Sequence, residues 1–418
     1  MTPEDPRVER DDRRAPVGVG PEQGARPTGP EGGRWPVEVR NVYVHAPFCA
    51  RRCFYCDFAV QVRRDADPEP WAEAIRRERA LLDAEGRAEL APSLETLYVG
   101  GGTPSLLGDQ AMALLADALG RRHLVGPTLE WTAEANPESV TPALARAWRR
   151  AGVNRMSLGV QSFQETVLRW MGRLHGAEGA RRAVAEIRAA GIADLSVDLI
   201  FGLPEGLPRD WRADLQAAIA LDVPHISLYG LTAETGTPLA RGVTEGRISM
   251  AGEARYEEEY LEASERLGSA GYHQYEVSNF ARDGAESRHN RAYWDDRPYL
   301  GLGNSSHSYL PPLRRWNLRE WPAYLSEVES DRLPVGGEEL PAVAARRLEW
   351  IWLGLRTDRG LPLERLPGVG VEARIRDWIR RGLAGKDEDR IRLTARGWLL
   401  LDTLAVELDE ALGDPRPG

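Results

Sequence analysis

Cysteine is nearly missing: three occur among 418 residues, all between Cys49 and Cys56. So few thiols, odd in number and tightly spaced, cannot make a disulfide framework, which leaves metal ligation as their natural chemistry. Long apolar runs are missing as well. No stretch approaches the ~18 apolar residues of a spanning helix, and Asn41 to Phe48 is too short and too far in for a signal peptide. A cytoplasmic chain is expected, with peripheral membrane contact left open. Basic excess is the third absence. A formal net charge of −10 and a pI near 5.4 argue against a broad phosphate-binding surface, so no nucleic-acid partner is expected.

What is present suffices for a full core. With 42% apolar side chains, the length suits two to three domains at about 150 residues each. Residues 1 to 38 are rich in Pro, Gly, Arg and acidic residues and poor in aromatics, so a disordered tail is expected there. Beyond it, six β-type runs alternate with amphipathic segments: Val42 to His45, Leu94 to Val99, Leu129 to Ala133, Arg155 to Val160, Leu195 to Phe201 and His225 to Leu231. The intervening helices, such as Trp71 to Leu82 and Ala177 to Ala190, are long enough for crossovers, so a parallel α/β sheet or barrel over residues 39 to 235 is predicted. Residues 236 to 335 read as an accessory extension. Residues 336 to 412 read as two helices, a strand and a Thr394-capped helix, a small winged-helix-like domain. Its last helix carries Asp402, Glu407, Asp409 and Glu410, which favours packing or partner docking over DNA binding.

Cys49, Cys53 and Cys56 form a C-x3-C-x2-C spacing directly after the first strand. Three thiolates leave one iron of a [4Fe-4S] cluster open to an exogenous ligand. A structural zinc site would need a fourth protein ligand, for which His45 is the candidate. Gly100, Gly101 and Gly102 follow the second strand, where bare backbone permits either a tight turn or close approach of a ligand. Glu134, Gln161, Arg173 and Asp198 are polar residues at or just past strand ends, the place where (β/α) barrels build active sites.

In this order the elements resemble the radical S-adenosylmethionine (SAM) superfamily. The resemblance implies a partial (β/α)6 barrel, a cluster on the three cysteines and SAM at the open iron, reductively cleaved there. It also implies SAM contacts from Tyr43, Tyr55, Gly100, Gly101, Gly102, Thr103, Glu134, Gln161, Arg173 and Asp198: carboxylates for hydroxyl and amino groups, amide and guanidinium for the carboxylate.

The stretches Tyr43 to Cys49, Gly100 to Leu107, Ser157 to Phe163 and Asp198 to Pro204 resemble one branch more closely, that of oxygen-independent coproporphyrinogen III oxidases and related heme chaperones. The likeness spans roughly residues 41 to 410. The oxidases carry a further cysteine two residues after the third; here Asp57-Phe58 follows Cys56. His289-Asn290-Arg291-Ala292-Tyr293-Trp294 resembles the HNxxYW motif of the chaperones. The resemblance therefore implies heme bound through His289, Asn290, Tyr293 and Trp294, passed to acceptor hemoproteins such as apo-cytochromes by a homodimer. Oxidative decarboxylation of coproporphyrinogen III is the alternative, and RNA modification is disfavoured by acidity. Residue chemistry alone also allows a surface loop with a packed aromatic pair. His175, His273 and His307 are rival ligands. Ser287 stands where many relatives have cysteine, and Gly301 to Ser308 is less rich in glycine and alanine than the family version.

Overall fold

Six strands share one alternation, and the architecture follows from it. The computed structural model describes residues 35–413. In it the strands are β1 (Asn41–Ala46), β2 (Thr96–Gly101), β3 (Glu130–Ala135), β4 (Arg155–Gln161), β5 (Asp194–Phe201) and β6 (His225–Gly230). Each alternates an apolar set, such as Val42 and Val44, Leu97 and Val99, or Trp131 and Ala133, with a set of different chemistry: Tyr43 and His45, Thr96 and Tyr98, Thr132 and Glu134. Parallel strands covered by helices on both faces read as nearly continuous apolar runs. These do not, because only one face packs on helices; the other lines a polar interior.

The covering helices are α1 (Pro68–Glu85), α2 (Ala111–Leu119), α3 (Pro142–Ala151), α4 (Glu165–Met171), α5 (Gly176–Ala189) and α6 (Trp211–Ala220). Their starts are local sequence chemistry. Asp67, Thr141 and Asp210 accept from the N–H groups of Glu69, Leu144 and Ala213, and proline opens α1 and α3. Trp71, Ile75, Leu115, Trp148, Ile187 and Leu215 then close the core against the apolar strand face.

After β6 come α7 (Pro238–Thr244), α8 (Glu253–Ser269), β7 (His273–Gln274), β8 (Asn279–Ala281), α9 (Arg288–Trp294), β9 (Leu300–Leu302), β10 (His307–Leu310), β11 (Leu313–Asn317), α10 (Trp321–Glu329) and β12 (Val335–Glu339). The main sheet has the order β7-β8-β6-β5-β4-β3-β2-β1-β9. Strands β1 to β6 are parallel, β9 joins β1 in parallel, and β8 joins β6 antiparallel. Its edges do not pair with each other, so the sheet is open, as a partial barrel requires. Strands β10, β11 and β12 form a second small sheet beside β9.

The C-terminal part contains α11 (Val343–Arg356), α12 (Val369–Arg380), α13 (Ala395–Trp398) and α14 (Leu401–Leu412) around a three-stranded sheet. Three acidic residues of α14 are engaged by neighbouring helices: Asp402 accepts from Trp352 Nε1 at 2.7 Å, Glu407 from Trp378 Nε1 at 3.0 Å, and Asp409 pairs with Arg347 at 2.5 Å. Most of the tail expected to be disordered lies outside the described residues; within it, Val37–Val39 begins a short strand paired with Ala88–Leu90. Among the described residues no helix is long and apolar enough to cross a membrane.

Candidate functional site

The three cysteines lie on a loop pinned at both ends. Gln61 N donates to Pro47 O at 2.6 Å and Arg63 N to Cys49 O at 2.9 Å, closing the loop beyond the end of β1. Its middle is anchored by Phe54, whose ring meets Trp170 of α4 edge-on at 4.6 Å and whose carbonyl accepts from Leu239 N at 3.0 Å. All three thiols face one cleft of about 340 Å³ and none is in a disulfide. Burial pushes the free Cys49 thiol up to about 11.

The side chains fit a polynuclear cluster better than a single ion. Three cysteines line one cleft and His45 is engaged elsewhere, and a cubane offers separate irons to three separate thiolates. His45 is no fourth zinc ligand: its ring nitrogens meet the Tyr43 hydroxyl at 3.1 Å and the Ala59 carbonyl at 3.0 Å. Donors instead approach the sulfurs, with Thr103 Oγ1 3.4 Å from Cys49 Sγ and Arg173 Nη1 4.0 Å from Cys53 Sγ.

Eight of the ten residues expected to contact SAM line this cleft: Tyr55, Gly101, Gly102, Thr103, Glu134, Gln161, Arg173 and Asp198. Their polar groups are held in three separate hydrogen-bonded groups. Glu134 accepts from Tyr98 OH at 2.7 Å and Gly101 N at 3.0 Å, and Asp198 accepts from Ser157 Oγ at 3.1 Å. Arg173 donates to Asn136 Oδ1 at 2.7 Å and to the Gly159 carbonyl. Burial raises the Glu134 carboxyl to about 7 and that of Asp198 to about 6. Gly102 admits no side chain, since a Cβ would sit 2.7 Å from the Phe48 carbonyl. Gln161 sits at φ 69°, beside a break in the β4–β5 register, and its Oε1 is buried without a partner; so is Arg173 Nε. An unpaired amide oxygen and guanidinium N–H beside two buried carboxyls suit a zwitterionic ligand such as SAM.

Two expected residues stand elsewhere. Gly100 packs behind the cleft, where a Cβ would lie 2.9 Å from both Glu134 and Tyr98. Tyr43 stacks on Tyr98 at 6.1 Å and faces a second cavity. Asn136, in the strand-end segment Glu134 to Pro137 but not among the expected SAM contacts, links Thr103 Oγ1 (3.2 Å) to Arg173. Tyr98 was missed too; a phenol alternating with apolar residues in β2 was its only signal.

The HNxxYW segment forms α9, capped by Ser287. Its start is held by Glu130, at the beginning of β3, which accepts from Arg288 N and His289 N, both at 3.1 Å. The motif thus closes the interior at the strand starts, opposite the cysteines. His289 is buried, bonded to Thr96 Oγ1 at 2.7 Å and Tyr293 OH at 2.8 Å, and stacked on Tyr98 at 5.2 Å. An axial ligand needs an accessible ring nitrogen with a free lone pair. In this structure both ring nitrogens of His289 are engaged, by Thr96 and by Tyr293. Asn290 contributes its N–H to the Ser287 cap. Tyr293 and Trp294 line the second cavity. Of the rivals, His273 is bound to Asp358 at 2.7 Å and His175 lies 3.4 Å from Glu138.

A parallel α/β sheet with a three-cysteine loop beyond its first strand defines a radical SAM class of protein, and residues 43–218 match the Radical SAM superfamily. The chain is 38% identical over 376 residues to the heme chaperone HemW of Mycobacterium tuberculosis (strain ATCC 25618 / H37Rv), covering 89% of this chain and 95% of that one. It is 30% identical over 371 residues to the heme chaperone HemW of Bacillus subtilis (strain 168), covering 87% and 97%. The structure of coproporphyrinogen III oxidase (HemN) from Escherichia coli superposes with a TM-score of 0.74 at 20% identity over 90% of each chain, a likeness of fold. The chain belongs to the HemW family of radical SAM proteins.

Proposed function

We propose that this protein is a cytoplasmic heme chaperone that binds heme and hands it to acceptor hemoproteins such as apo-cytochromes. The observation that carries the reading is identity of 38% along 95% of a heme chaperone. Cys49, Cys53 and Cys56 would hold a [4Fe-4S] cluster. Gly101, Gly102, Thr103, Gln161 and Arg173 would receive the methionine end of SAM, and Glu134 and Asp198 its amino and hydroxyl groups. When bound, the cluster supplies an open iron and an electron to SAM. The chain's own contribution is orientation: Arg173 is fixed by Asn136, and Glu134 by Tyr98, before any ligand arrives.

The alternative, oxidative decarboxylation of coproporphyrinogen III, is disfavoured at residue 58. Where the oxidases carry a further cysteine, Phe58 stands 58% exposed at the cleft wall. The test is anaerobic: reconstituted protein receives SAM, dithionite and coproporphyrinogen III, while 5′-deoxyadenosine and porphyrins are followed by chromatography. No decarboxylation is expected, and heme-loaded protein should convert an apo-cytochrome to its holo spectrum. Protoporphyrinogen formed over multiple turnovers would overturn the chaperone reading.

A further inference from the structure

A second cavity of about 570 Å³ lies between the segment leading into β9, the β10–β11 hairpin, α9 and α11. Its size falls within the ~300–1,000 Å³ of small-molecule sites, and its walls are mostly flat rings: Tyr293 and Trp294 from α9, Tyr299, Tyr309, Trp316 and Trp352. Such rings offer broad, rigid apolar area to a macrocycle. One imidazole stands among them. His307 is exposed, its ring stacked on Trp316 at 6.0 Å and 27°, and among the described residues neither ring nitrogen makes a hydrogen bond.

Its placement is built into the fold. A Cβ at Gly301 would meet the His307 carbonyl at 2.1 Å, so glycine there lets the strand carrying His307 lie tight against β9. Asp296, Glu339, Glu349 and Arg314 make up the charged part of the walls, and Arg314 is already engaged there, loosely by Glu339 at 3.5 Å and closely by Glu349. Trp294 Nε1 is buried there without a partner.

We propose that this groove is the heme seat and that His307, not His289, is the protein ligand to the heme iron; the proposal rests on the heme-chaperone reading above. The two histidines divide the work. His289 fixes Tyr293 in the wall from behind, and His307 meets the metal from the open side.

The test titrates ferric heme into the full-length protein and records the Soret band and affinity, with thermal unfolding as the check on folding. His307→Ala is expected to move the band and weaken binding by about tenfold or more, and added imidazole to return the band to its original position. Trp316→Ala should weaken binding with the band unmoved, and His289→Gln should leave the band in place. If the wild-type protein binds heme while His307→Ala changes neither band nor affinity, the groove assignment fails and the chaperone reading stands. Loss of the histidine signature in His289→Gln alone would equally overturn it. A wild-type protein that takes up no heme removes the chaperone reading itself, and the seat with it.

Discussion

Glu134 and Asp198 face each other's charge across a buried cleft, and their protonation is set by that burial. Each carboxyl is raised in the folded protein, to about 7 and about 6. The stability they contribute is therefore present below the ordinary carboxylate range and is lost as pH rises through 6 and 7. A cation bound beside them favours the ionised forms. SAM, which carries positive charge, should bind more tightly as pH rises from about 5 to 8, by up to about tenfold per unit for each proton released. Calorimetry on the reconstituted protein should record this slope, and Glu134→Gln should flatten it; an equal slope in the variant would remove Glu134 from the linkage. Gly101 gives a second prediction. It sits at φ +110°, and a Cβ there would meet the His45 ring at 2.4 Å. Gly101→Ala should cost about 2 kcal/mol or more in chemical denaturation. The cysteines act as a unit, so Ser at any one of positions 49, 53 or 56 should abolish the cluster's visible absorption after anaerobic reconstitution. Retained colour and iron would refute their assignment.

At the level of elements, α9 depends on a carboxylate outside its own sequence. Glu130 accepts two N–H groups at the start of the helix, where negative charge also meets the helix dipole. Glu130→Ala should lower stability by about 1–2 kcal/mol and expose α9 to proteolysis; an unchanged denaturation midpoint would show that Ser287 suffices as a cap. This contact explains what the chain alone could and could not reveal. The six parallel strands were legible to within about two residues because β-branched and aromatic runs are bounded by Gly, Pro and Asn at their ends. Helices α4, α7 and α9, each of seven residues, span barely two turns and show no period to read. The cysteine loop was legible from spacing. The setting of His289 was not, since its partner Thr96 is 193 residues away, and Tyr43 was assigned by likeness although its ring turns from the cleft.

Over the whole molecule, charge is balanced by pairing rather than spread for a polyanion. The engagement of Asp402, Glu407 and Asp409 by Trp352, Trp378 and Arg347 ties α14 to α11 and α12. The protein should leave duplex DNA unshifted in a gel at low salt, and a salt-sensitive complex would assign the C-terminal domain another role. Glu78 ties distant segments together in the same way, accepting from Gly303 N at 2.8 Å and Tyr324 OH at 2.7 Å. The open sheet has one further consequence. In a closed barrel, strand number and stagger fix the circumference. Here the ring is a clasp rather than a hoop: the edge strands β7 and β9 are not paired, so no backbone ladder fixes its gape. Widening such a clasp for a bulky guest would break no strand pairing.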